Sequence, residues 1–188
     1  MYGLFLNRGL RILLVTNAMI LLAGAMLGPI YAIFVEKVGG NLLDASIAVS
    51  LFALVAGLST LISGRYTDKV KEKELIVVLG YSIMGIGNLL FIMVDTIWFL
   101  FIVQIVIGLG EAIYAPAFDV VYTKHLERRR SGTQWGILES LYYFSIALGA
   151  LLGGFIVTNP GFKALFIIMA ILCFGSALYI YRLPREKL

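Results

Sequence analysis

The sequence predicts an all-α membrane protein of six transmembrane helices arranged as a three-plus-three inverted repeat. Three observations carry that expectation. Of 188 residues, 61% are hydrophobic and only 14% are charged, with a mean hydropathy of +0.96, whereas soluble domains run nearer half apolar and a quarter charged. The apolar residues fall in six long runs separated by short polar segments. The basic residues between those runs alternate in density, as they do when successive loops lie on opposite sides of a membrane. This composition excludes a soluble enzyme, a disordered chain and a collagen-like fibre.

The spans make one domain over residues 1–188. The first, 12–35, follows Arg8 and Arg11 and is too long for the apolar region of a cleavable signal peptide. The second, 45–64, is followed by Arg65, Lys69, Lys71 and Lys73. The third covers 75–94 and the fourth 97–122, followed by Lys124, Arg128, Arg129 and Arg130. The fifth is 132–157 and the sixth 162–181, after which come Arg182, Arg185 and Lys187. Each run is long enough to cross about 30 Å of hydrocarbon as a helix. Barrel strands would give alternating ten-residue pieces instead.

Thirteen basic residues therefore fall on the side of the two termini, and only Lys37 and Lys163 on the other. Positive charge marks the cytoplasmic face, so the expectation is a multi-pass protein of the cell (inner) membrane with both termini cytoplasmic. The bias also argues against insertion of two copies in opposite senses. The net charge of +4 reports orientation, and no nucleic-acid partner is expected. One cysteine, Cys173, precludes an intrachain disulfide. The single histidine, His125, sits among basic residues between spans and is expected to be exposed. No metal or cofactor is called for.

Halving the chain exposes an echo. Pro29 lies late in span one and Pro116 late in span four, while Ser63-Gly64 and Gly153-Gly154 close spans two and five. Three helices followed by three have opposite membrane sense, the inverted plan that recurs in secondary transporters.

Ionisable groups in spanning helices are costly and mark function by default. Glu111 lies about 3 Å from the midpoint of span four. Gln104, Gly108, Glu111, Ala115 and Phe118 recur at three- and four-residue steps and share a face. Asn17, Gly24, Gly28 and Tyr31 make a comparable face on span one, where the two glycines also suit plain close packing. Desolvation favours the neutral form of a carboxyl group, which gives a buried glutamate the means to carry a proton, and Glu111 is the candidate. A Glu111 bonded to Gln104 or Tyr114 for structure alone is the other reading. Glu139 lies about 10 Å inside span five and joins the candidates. Asn17 and Asn88 also suit helix–helix hydrogen bonds. Asp119, near the end of span four, lies within reach of Lys69 or Lys73 and reads as a gate or structural charge.

Gly64, Asp68, Lys69 and Lys73, in the segment Gly64-Arg65-Tyr66-Thr67-Asp68-Lys69-Val70-Lys71-Glu72-Lys73, resemble the signature loop of the major facilitator superfamily. That family continues with a Gly-Arg pair, where this chain has Lys71-Glu72. Gly64 would let two helix ends approach, and Asp68 would sit at a helix N-terminus. In span four, Gly108, Gly110 and Ala112 match the family's Arg-x-x-x-Gly-x-Gly-x-Ala, with Gln104 in place of Arg. In span five, Gly149, Gly153 and Gly154 match the exporters' Gly-Pro-x-x-Gly-Gly, without its proline. These glycines are expected to pack helices.

The resemblance covers the whole chain but matches one six-helix half of the usual twelve. It implies one bundle of a secondary active transporter, with Glu111, Gln104, Glu139, Asn17, Tyr31 and Tyr114 around a proton-coupling or substrate cavity. Proton-coupled export (antiport) of a small amphipathic solute across the lipid bilayer follows as the expected activity. A second six-helix chain would complete it, as a parallel homodimer or a hetero-pair, with Asp68 of one chain near Gly132 of the other. The alternative is a non-transporting membrane module or an isolated transporter fragment. An enzyme is not expected. An intramembrane protease needs a histidine or a second aspartate at depth, and a water channel needs two Asn-Pro-Ala half-helices where the chain has one Asn159-Pro160-Gly161.

Overall fold

The computed structural model describes residues 6–183. Arg185 and Lys187 of the charge count lie outside the described residues. Among the described residues there are six helical spans long and apolar enough to cross a membrane.

Span one is composite. Helix α1, Arg8–Leu27, gives way to a 3-10 turn, Gly28–Ile30, and then to α2, Tyr31–Lys37. Pro29 sits at the start of that turn, where it supplies no N–H for a helical bond. Gly39, at φ +86°, closes the span in a left-handed conformation that glycine adopts freely. Helix α3, Leu42–Lys69, opens on a capping box: the Asn41 side chain accepts from the Leu43 and Asp44 amides at 2.8 and 3.1 Å, and Asp44 accepts from the Asn41 amide at 2.9 Å. Helix α4 is Lys73–Leu90 and α5 is Ile97–Lys124, the latter capped by Thr96. Helices α6, Ser131–Thr158, and α7, Phe162–Tyr181, follow.

The two prolines that echo each other behave differently. Pro29 interrupts its helix, whereas Pro116 lies inside continuous α5. A proline frees the carbonyl four residues earlier. For Pro116 that is Ala112, and the Ser63 hydroxyl on α3 donates to it. A neighbouring serine is one of the devices by which spanning helices tolerate proline.

The packing follows the repeat. Helix α5 packs on α3 and α4, α1 packs on α6 and α7, and α4 packs on α7. Exchanging α1 with α5, α3 with α6 and α4 with α7 returns the same set of neighbours. Glycines open the crossings: a Cβ on Gly80 would lie 2.7 Å from the Gly110 carbonyl, and one on Gly153 would collide with the Met26 carbonyl. Gly108 and Gly149 likewise face the backbones of α3 and α1.

Four expectations need correction. Helix α3 runs past Gly64 to Lys69, because no glycine or proline follows to stop it, so the signature residues Arg65 to Lys69 form its last turns rather than a loop. Asp68 therefore stands at a helix C-terminus, not an N-terminus. A Cβ added to Gly64 or Gly154 would find no atom within 4 Å, so neither packs helices within this chain. His125 is not an exposed loop residue: it caps α5, its Nδ1 lies 2.9 Å from the Val121 carbonyl, and its ring fills the space that Gly9 leaves.

The two sides of the bundle differ. On the side of the termini, Asn7 caps α1 by accepting from the Leu10 amide at 2.8 Å and donates to the His125 carbonyl at 2.8 Å, tying α1 to α5. Tyr122 donates to the Gln134 carbonyl at 2.6 Å, tying α5 to α6. The other half of the bundle holds a cavity.

Candidate functional site: a cavity among the repeat-related helices

The cavity has a volume of about 350 Å³. Span one contributes Ala23, Gly24, Leu27, Gly28 and Tyr31, and α5 contributes Gln104, Ile107 and Glu111. Val49 and Phe52 of α3, Met84 and Asn88 of α4, Phe91 after it, and Met169 and Cys173 of α7 close the wall. Gly24 and Gly28 have no atom within 4 Å of where a Cβ would stand, so their missing side chains widen the space instead of admitting a helix.

Three polar links sit in or behind the wall. The Gln104 amide donates to the Tyr31 hydroxyl at 2.6 Å, bridging α5 and α2. Tyr114, one turn along α5, donates to Glu111 at 3.1 Å. Asn88 donates to the Cys173 sulfur at 3.3 Å, bridging α4 and α7. Glu111 is the one carboxyl group in a lining otherwise made of apolar and neutral side chains.

The structure thus gathers Tyr31, Gln104 and Glu111 into one cavity, with Tyr114 directly behind Glu111. It does not bring Asn17 or Glu139 there. Asn17 is buried two turns nearer the start of α1, and Glu139 stands on an exposed face of α6, a helix that contributes nothing to the cavity wall. The expected common face of α5 also divides. Gly108 turns to α3, and Phe118 is buried, stacked on Tyr122 at 5.8 Å. Asp119 forms no ion pair with Lys69 or Lys73 among the described residues. Lys73 donates instead to the Val70 carbonyl at 2.7 Å.

Sequence reasoning assigns no cavity role to Met84, Asn88, Met169 and Cys173. The available signal is their spacing: Met84 and Asn88, like Met169 and Cys173, are four apart, which puts each pair on one helix face.

The burial of the spans is uneven. Only 11% of the apolar stretch of α3 and 17% of that of α6 is buried within the chain, against 39% to 50% for the other four. The repeat exchanges these two helices. Their exposed faces mix large apolar groups such as Leu54, Leu58, Leu151 and Phe155 with Ser46, Ser50, Glu139 and Ser140.

Comparison with known proteins agrees with this architecture. The chain is similar to the curated multidrug resistance protein MdtG of Enterobacter lignolyticus, at 26% identity over 172 residues, which is 89% of this chain and 41% of that protein. The Escherichia fergusonii protein of the same name is 25% identical over 180 residues, 93% of this chain and 44% of the relative. The Salmonella schwarzengrund protein is 26% identical with the same coverage. The chain thus spans less than half the length of these curated relatives. A family model described as Major Facilitator Superfamily matches residues 13–188. The chain belongs to the Major Facilitator Superfamily.

Proposed function

We propose that this chain is one bundle of a secondary active transporter that exports a small amphipathic solute against an inward flow of protons. The observation that carries the reading is Glu111, a carboxyl group in the wall of a largely apolar cavity between helices that the internal repeat exchanges. A carboxyl group so placed can alternate between a proton and a solute as its partner. The apolar and aromatic lining suits an amphipathic solute better than a sugar phosphate. The relatives' name, multidrug resistance protein, is consistent with export of such compounds.

Alternating access requires a second bundle rocking against the first about a central site. The poorly buried, partly polar faces of α3 and α6 are the surfaces that such a bundle would cover. With both termini cytoplasmic, a second copy would pair in parallel about an axis along the membrane normal, and a different six-helix chain could take its place. A second reading, in which the partner bundle belongs to the same, longer polypeptide, is favoured by the length of the relatives.

The test is transport in proteoliposomes with an imposed pH gradient, using a fluorescent lipophilic dye. The native chain should move the dye faster with the gradient than without it. Glu111→Gln, whose amide oxygen still accepts from Tyr114, should fold normally and lose that acceleration. Unchanged gradient dependence would remove Glu111 as the coupling site.

A further inference from the structure

The two basic residues that stand alone on the side opposite the termini, Lys37 and Lys163, are far apart in sequence. The fold brings both to a second cavity of about 470 Å³ where the ends of α2, α4 and α7 meet, which shares Phe91 with the wall of the central one. Asp95, in the link after α4, shares its rim. All three charged side chains are exposed, and among the described residues neither lysine forms an ion pair with Asp95. The Lys37 ammonium instead lies 5.4 Å from the centre of the Phe162 ring, an arrangement that holds a cation over an aromatic face.

Below the charges lies an aromatic floor. Phe34 packs against Phe91, Phe162 and Phe166 with ring centres 5.7, 5.2 and 5.0 Å apart, and Phe91 stacks on Phe166 at 4.9 Å. Further along the same helices, Leu89 of α4 and Ile167 and Ile171 of α7 are exposed apolar residues. The site therefore layers two cations and one anion at its rim, buried aromatic rings beneath them and exposed apolar side chains further along the helices. Lysines near helix ends reach toward the interface, where an ammonium pairs with phosphate oxygens through charge-assisted hydrogen bonds.

We propose that this cavity binds a phospholipid with a zwitterionic amine headgroup, such as phosphatidylethanolamine. Lys37 and Lys163 take the phosphate, Asp95 takes the ammonium, and the acyl chains lie along α4 and α7. Asp95 selects for the amine because it would repel a second anion and pairs with neither lysine. The exposed Leu89, Ile167 and Ile171 below the charges favour a membrane lipid over a soluble phosphate ester, which offers no chain to cover them.

The experiment is a lipid titration of the full chain in mild detergent, read by native mass spectrometry, with phosphatidylethanolamine and phosphatidylglycerol of matched chains. The native chain should hold one phosphatidylethanolamine in preference to phosphatidylglycerol. Lys37→Gln with Lys163→Gln should weaken phosphatidylethanolamine binding by about tenfold or more, as loss of hydrogen bonds to a charged group does. Asp95→Asn should erase the preference between the lipids while retaining phosphate binding. Lys124→Gln, at the opposite end of the bundle, should change nothing. If the double variant does not fold, each lysine is replaced singly and should show part of the loss. Undiminished phosphatidylethanolamine binding by the lysine variants would overturn the site. Binding of O-phosphoethanolamine as tight as that of the lipid would overturn the membrane source.

Discussion

The Gln104 amide donates to the Tyr31 hydroxyl at 2.6 Å, and this bond links, at the central cavity, the two helical spans that the internal repeat exchanges. Both partners are buried, Gln104 at 7% exposure and Tyr31 at 9%. The bond fixes the width of the cavity at one wall, one turn from Gly108, where α5 meets the backbone of α3.

Tyr31→Phe should therefore leave the Gln104 amide without its partner in a largely apolar wall. Loss of a buried partner costs about 1–3 kcal/mol, so thermal unfolding in detergent should shift downward. Gln104→Leu removes both the donor and the unmet need, and the double variant should be less destabilised than the sum of the two singles. A coupling of about 0.5–3 kcal/mol is typical for residues in contact. Strict additivity would show that the bond does not form in the folded chain.

Ser63 and Pro116 make a second pair. The Ser63 hydroxyl satisfies the Ala112 carbonyl that Pro116 strips of its helical donor. Ser63→Ala should destabilise by about 1–3 kcal/mol, because the carbonyl is then orphaned. Pro116→Ala restores an N–H to α5, so Ser63→Ala should cost little in that background. Unfolding midpoints of the four proteins measure this directly, and an equal cost of Ser63→Ala in both backgrounds would contradict the relationship.

The six spans are legible in the sequence because each is a continuous apolar run, and their order fixes the inverted repeat. Their ends are less legible. Helix α3 continues through Arg65 to Lys69 because water-side turns accept charge as readily as loops do, so polarity alone does not mark the end. Pro29 and Pro116 look alike in sequence, but only the second has a serine from another helix at its freed carbonyl. Gln104 and Glu111 are legible as polar residues seven apart. Glu139 gives the same signal, yet it lies outside the cavity, since a polar residue on an uncovered face reads like one facing a cavity. Met84, Met169 and Cys173 offer a shared helix face but no contrast in polarity, because an apolar cavity wall and an apolar core have the same composition.

Gly153 and Gly154 are neighbours with opposite surroundings. A Cβ on Gly153 would meet the Met26 carbonyl, while one on Gly154 meets nothing within 4 Å. Gly153→Ala should push α6 from α1 and destabilise by about 1–3 kcal/mol, the usual cost of overpacking. Gly154→Ala should be neutral or stabilising by up to about 1 kcal/mol from helix propensity. Thermal unfolding of the two variants side by side checks the crossing, and equal midpoints would refute it.

Assembly from two chains makes a geometric demand at Asp68 and Gly132. Asp68 is exposed in the last turn of α3, and Gly132 is exposed in the first turn of α6 with open space where a side chain would begin. These helices are the two least buried of the six spans among the described residues, and a parallel partner would set the α3 end of one copy beside the α6 start of the other. Cysteines at both positions, in a Cys173→Ala background that removes the one buried native thiol, should form a cross-linked dimer in native membranes on mild oxidation. An antiparallel pair would put the two positions on opposite sides of the membrane and leave them unlinked. A monomer band alone, at membrane concentrations where the native chain transports, would exclude the homodimer and leave a different six-helix chain or a bundle within one longer polypeptide as the partner.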